Sequence, residues 1–126
     1  MPIKSHIDKD QKMIHTVCTG VITKHDFDFY LNEFLSKNDI TGCNEIFDTR
    51  KGDWSQINYS DLVAIALKSM GIENIDVTTK FAWVVDEDEV NAMTNFYKES
   101  KIFHDKKSRV LYSFYNYDDA MNWLRS

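Results

Sequence analysis

Four histidines, His6, His15, His25 and His104, and two cysteines, Cys18 and Cys43, are the side chains of this chain best suited to nucleophilic, ligating or proton-transfer chemistry. No two histidines stand four apart, so a zinc pair on one helix face is excluded. The cysteines form no Cys-x-x-Cys pair and read as two free thiols in a reducing compartment, with Cys18 buried in a strand. Strand alternation turns His15 to the face opposite Cys18, which denies that thiol its nearest base. His25 beside Asp26 has the form of a base with its orienting carboxylate, but no nucleophile motif accompanies it. These spacings predict a protein that is not an enzyme, with no catalytic residue, metal site or cofactor.

The remaining polar chemistry gathers where strands are expected to end. In open α/β sheets ligands collect beyond the carboxyl ends of parallel strands. That edge brings together Asp48, Thr49 and Arg50, then Asp86, then Tyr115 and Asn116. The helix starts Ser60-Asp61, Glu87-Asp88-Glu89 and Asp118-Asp119 lie there too. Helix amino termini attract anions, but here each start carries its own carboxylates, which satisfy that attraction internally and repel phosphate. With no glycine-rich cradle, a nucleotide or phosphate ligand is disfavoured. The run Asp86 to Glu89 lacks the spacing of a cation-binding loop and reads as capping.

Asp48, Arg50, Trp54, Tyr59, Ser60 and Asp86 are expected to form an edge that meets a partner or a ligand. The segment Leu62, Val63, Ile65, Ala66, Leu67 and Met70 covers more than one face of its helix, and Trp54 and Tyr59 lead into it. Two readings stand side by side. These aromatics anchor a protein partner or a second copy of the chain, or they fold back to cover the core.

The elements that must position these residues follow from periodicity. Ile3 to Ile7 and Met13 to Thr19 form a hairpin around Asp8-Lys9-Asp10-Gln11. Thr23 caps a helix, with Asp26 as a shorter capping-box acid, and Phe27, Leu31, Phe34 and Leu35 form its buried stripe. Glu45 to Asp48 is a short strand followed by a polar loop from Thr49 to Tyr59. Ser60 caps a helix from Asp61 to Met70, closed by Gly71. Lys80 to Val85 is apolar on both faces, the mark of a central strand. A third helix starts at Glu87, Arg109 to Phe114 is the last strand, and Tyr117 to Leu124 the last helix. The order β-β-α-β-α-β-α-β-α predicts an α/β fold: one domain over residues 1–126, a mixed sheet of about five strands, and four helices.

Bulk properties narrow the partners. The 126 residues are 43% hydrophobic and 13% aromatic, enough for a dense core without metal or disulfide. A net charge of −5 and the absence of a Lys/Arg block argue against nucleic acid. No apolar run reaches the ~18 residues of a membrane span, and no signal-peptide pattern opens the chain, so a cytoplasmic location is expected.

The hairpin ending in Gly20, the segment Ile46-Phe47-Asp48, and the close Asp118-Asp119-Ala120-Met121-Asn122-Trp123-Leu124 resemble the STAS-like (SpoIIAA-like) family. That family is similar in turn, more distantly, to CRAL-TRIO lipid-binding domains. The resemblance covers nearly the whole chain and implies a regulatory or binding module working through protein contact. In the antagonists of that family, a phosphorylated Asp-Ser-Ser or Asp-Ser-Thr opens the second helix. Here the place reads Ile57-Asn58-Tyr59-Ser60-Asp61-Leu62, so Ser60 alone corresponds as a phosphoacceptor, and its flanking residues depart from the pattern. The distant similarity also implies the alternative of a small carrier for an apolar or lipid-like molecule.

Overall fold

The computed structural model describes residues 2–58, 60–61, 64, 79–86 and 109–126. Five strands, β1 (Ile3–Asp8), β2 (Met13–Val21), β3 (Asn44–Asp53), β4 (Thr79–Val84) and β5 (Arg109–Phe114), form one sheet. Their spatial order is their chain order, β1-β2-β3-β4-β5. The first pair is antiparallel and the other three are parallel, which makes the sheet mixed as expected. The hairpin turn is closed by Asp8, whose Oδ1 accepts from the backbone N–H groups of Asp10 and Gln11 at 3.1 Å each.

Helix α1 (Lys24–Phe29) starts with the capping box read from Thr23 and Asp26. Asp26 Oδ2 accepts from the Thr23 backbone N–H at 2.8 Å, and Thr23 Oγ1 from the Asp26 N–H at 3.3 Å. The helix then widens into a π-helical turn, Tyr30–Leu35, closed by the Ser36 N–H on the Leu31 carbonyl. The i to i+5 spacing rotates the buried face, so Tyr30 joins Phe27, Leu31 and Leu35 inside while Phe34 is only partly covered. Helix α2 (Tyr117–Leu124) packs Ala120, Met121 and Leu124 on the opposite face of the sheet, against Met13, Ile46 and Val84. Tyr117, at the first turn of α2, is exposed.

Lys80 to Val85 is central as read, with Phe81, Ala82, Trp83, Val84 and Val85 all buried. The segment after Asp48 differs from expectation. The polar residues from Thr49 to Asp53 continue β3, pairing Thr19 with Lys51, Gly20 with Gly52 and Val21 with Asp53 beyond an irregularity at Val17/Thr19. This two-stranded extension has a polar outer face, which masked its strand character. On its inner side a Cβ on Gly52 would lie 2.8 Å from the Trp54 indole nitrogen, so glycine leaves room for that ring.

Of the four expected helices, two are described along their length, α1 with its π-helical turn and α2. The body of the expected Asp61-to-Met70 helix and the helix from Glu87 lie outside the described residues. Ser60, Asp61 and Ala64 are helical. The cap is Asn58 rather than Ser60, because Asn58 Oδ1 accepts from the Asp61 N–H at 2.9 Å and Asp61 Oδ2 from the Asn58 N–H at 3.1 Å.

Candidate functional site

The proposed strand-end edge is partly assembled. Arg50 forks onto Asp48, with Nε to Oδ1 at 3.0 Å and a terminal nitrogen to Oδ2 at 2.8 Å. This bidentate bond holds the guanidinium above its ordinary pKa, reinforced by the charges of Asp48 and Asp86 against partial burial. Asp48, Arg50 and Asp86 thus form one electrostatic group. Because β3 continues past it, Asp48 lies within a strand, level with Val84, and not at a strand end.

Thr49 points to the other face and is fully buried. Its hydroxyl donates to the Val84 carbonyl at 3.0 Å and accepts from the Trp83 indole at 3.0 Å. Trp54 is 4% exposed, and its indole donates to the Thr49 carbonyl at 3.3 Å. Of the two readings left open for Trp54, the structure has the folded-back one, which leaves no surface for an interface anchor. Tyr59 lies outside the described residues, and Ser60 is exposed. The helix starts keep their own carboxylates as expected: Asn116 Oδ1 accepts from the Asp119 N–H at 2.8 Å, and its amide donates to the Asp119 carboxylate at 2.8 Å.

A second polar group lies on the α2 face of the hairpin. His6 and His15 are cross-strand partners and stack at 4.8 Å, with 5° between ring planes. His15 Nδ1 and the Tyr117 hydroxyl share a hydrogen bond at 2.9 Å. Partial burial, then the charges of His6 and Arg125, lower the His15 pKa against the opposing pull of Asp8. Tyr117 is raised by desolvation and by Asp48, against the pull of Arg125, so its phenol stays protonated and is not an activated nucleophile.

The His15 shift predicts a pH effect on stability. Folding disfavours the protonated imidazole, so the unfolded chain takes up the proton first. Stability is full above the unfolded value near 6.5 and declines as pH falls from there through the lower folded value. Thermal melts across that window should show a falling Tm, and His15→Gln should flatten the decline. A wild-type Tm unchanged through that range contradicts the assignment.

A buried polar chain lies on the α1 face, and nothing in the sequence reading anticipated it. Glu45 is 0% exposed at the centre of the sheet. Its Oε2 accepts from Thr16 Oγ1 at 2.8 Å and from the Tyr30 hydroxyl. Thr16 spends its one proton on Glu45, so Ser5 is the donor in the 2.7 Å Ser5–Thr16 bond. The chain ends at a half-open groove of about 340 Å³ lined by Ile3, Lys4, Ser5, Phe29, Tyr30 and Phe34. Phe29 is 44% exposed there.

Cys18 lies in the same core. Burial raises its thiol pKa far above the ordinary value, and the carboxylates Glu45, Asp48 and Asp26 add to the shift. Neither Cys18 nor the buried Cys43 should react with a thiol reagent until the chain is denatured, when both should titrate. Rapid labelling of Cys18 in the folded protein counts against this packing.

Comparison with known proteins places the fold. An uncharacterised protein of the DUF3478 family from Shewanella loihica PV-4, described as having a SpoIIAA-like fold, superimposes with a TM-score of 0.59 at 16% sequence identity. The match covers 97% of this chain and 91% of that one. The chain therefore has a SpoIIAA-like α/β fold, the class its sequence resembles. No family model and no curated protein matches it. Among the described residues, no helix is long and apolar enough to cross a membrane.

Proposed function

We propose that this chain is a single-domain, non-enzymatic regulatory or binding module of the cytoplasm that acts through protein–protein contact. The observation that carries the reading is the hairpin face beside α2. Helix α2 packs on β3, β4 and β5. On the same face of β1 and β2, Lys4, His6 and Val17 stand exposed, with half-buried His15 and exposed Tyr117 at the border. Val17 is 36% exposed and Val21, at the end of β2, is 50% exposed. An apolar pair with aromatic and cationic neighbours has the composition of a contact surface. Non-enzymatic action is supported by Cys18 and Tyr117, whose pKa values are displaced upward, away from nucleophilic use.

Carriage of an apolar molecule calls for an enclosed cavity. Among the described residues the groove between β1 and the π-helical turn is half-open, and the exposed hairpin face favours protein contact. Affinity capture from source-cell extract should recover a partner with the wild-type chain and lose it with Val17→Glu. A partner recovered equally by both proteins contradicts the hairpin-face reading.

A further inference from the structure

The free edge of β1 has a definite hydrogen-bonding phase. The Thr19 N–H donates to the Pro2 carbonyl at 2.8 Å, so Pro2 and Thr19 form a hydrogen-bonded pair of the antiparallel ladder. Alternation makes Lys4–Val17, His6–His15 and Asp8–Met13 hydrogen-bonded pairs as well. Ser5 and Thr16 then form a close, non-hydrogen-bonded pair, in agreement with the 2.7 Å contact between their hydroxyls. It follows that the backbone N–H and C=O groups of Ile3, Ser5 and Ile7 point away from β2, along the outer edge of the sheet. Their side chains face α1 and the groove, whereas Lys4, His6 and Asp8 project on the other face.

We propose that this edge pairs with the β1 edge of a second copy of the chain, joining two sheets into one across a two-fold axis. An isologous contact between edge strands is antiparallel. The outward groups belong to odd-numbered residues, so odd must pair with odd. In the register that places Ser5 opposite Ile7 of the second copy, Lys4 lies opposite Asp8 and His6 opposite His6. The two-fold repeats the Lys4–Asp8 pair at the other end. Moving by one allowed step sets Lys4 against His6 or His6 against Asp8 and loses both lysine–aspartate pairs. Charge complementarity therefore selects both the second copy and the register. Lys4 alone would blunt an open edge, but opposite an aspartate it specifies a partner.

The groove supplies the apolar part of the contact. Hydrogen-bonded partners carry their side chains on the same face, so Ile7 of the second copy enters beside Ser5, where Ile3, Phe29 and Phe34 line the open space. Backbone pairing gives the attachment and the groove gives the fit, as in strand addition to a sheet edge. This inference concerns the β1 edge, which borders the hairpin surface at Lys4 and His6; Val17 lies on β2, away from that edge, so Val17→Glu leaves the pairing untouched.

Sedimentation equilibrium of the full chain from micromolar to near-millimolar concentration tests it, together with amide hydrogen exchange over the same range. The expected result is a monomer–dimer equilibrium in which protection of the Ile3, Ser5 and Ile7 amides rises with concentration, while the inward amides of Lys4, His6 and Asp8 are protected throughout. Lys4→Glu, an exposed position whose change the fold should accept, should raise the dimer dissociation constant about tenfold or more by setting like charges opposite each other twice. A monomer at every concentration overturns the proposal. So does a dimer whose three outward amides exchange freely, or one that Lys4→Glu leaves unchanged.

Discussion

Phe47→Ala will remove about 3–5 kcal/mol of folding stability, the cost of deleting a large buried aromatic. Phe47 is buried on the central strand β3 with four aromatic neighbours: Phe27 at 6.2 Å, Tyr30 at 5.7 Å, Phe81 at 5.6 Å and Trp83 at 5.7 Å between ring centroids. Two of these contacts are edge-to-face, the geometry in which ring quadrupoles attract. The neighbours come from α1, the π-helical turn and β4, so no single element can move in to fill the space. Domains are stable by only about 5–15 kcal/mol in total, which makes this loss a large fraction. Urea titration should show a lower midpoint with an unchanged slope, and Phe47→Leu should retain most of the stability because much of the volume remains. A shift of under about 1 kcal/mol for the alanine variant means Phe47 is not packed as described.

Glu45→Ala should cost a comparable amount, about 3–5 kcal/mol, for a different reason. The carboxylate is the acceptor for both Thr16 and Tyr30 in the buried interior. Removing it takes the carboxylate acceptor from both hydroxyls and leaves a void. Thr16 retains its contact with Ser5, but Tyr30 loses its carboxylate acceptor. The interaction is therefore best measured as a cycle. Glu45→Leu combined with Tyr30→Phe should cost clearly less than the two single changes added together, since the pair is removed at once. Strict additivity would mean that Tyr30 and Glu45 do not depend on each other.

The two predictions also mark where sequence reading succeeded and where it stopped. Phe47 lies in an apolar strand, and the hairpin, the Thr23–Asp26 cap and the central position of Lys80 to Val85 all follow from local pattern. Local rules carry these because each depends on residues a few positions apart. Glu45 breaks the rule that charged side chains stay outside, and its acceptor role depends on residues 29 and 15 positions away. No window along the chain contains that information. The π-helical turn was hidden for a related reason: one i to i+5 closure inside a regular apolar stripe leaves the pattern intact while turning Tyr30 inward.

The candidate edge shows the same division. Asp48, Arg50 and Asp86 act on one another electrostatically, a proximity that strand-to-strand alignment in an α/β pattern makes readable. The extension of β3 through Asp53 was read as a loop, since Arg50, Lys51, Gly52 and Asp53 have no apolar alternation. The partner that holds them in a strand is the end of β2, which itself runs two residues past the expected limit at Thr19. Asn58 took the capping role assigned to Ser60 because a capping pair needs an acid three residues on, and Asp61 meets that spacing only for Asn58.

The matching of spatial to chain order, from β1 to β5, has a consequence for how the protein is made. Each strand that leaves the ribosome finds its neighbour already present, so the sheet can be laid down row by row from the amino end. Among the described residues it is the closing helix that must arrive from a distance, and its arrival seals Met13, Ile46 and Val84 from water. Until that last stretch emerges, the patch around Met13, Ile46 and Val84 lacks the cover of α2, and this is the interval in which a chaperone would have something to hold.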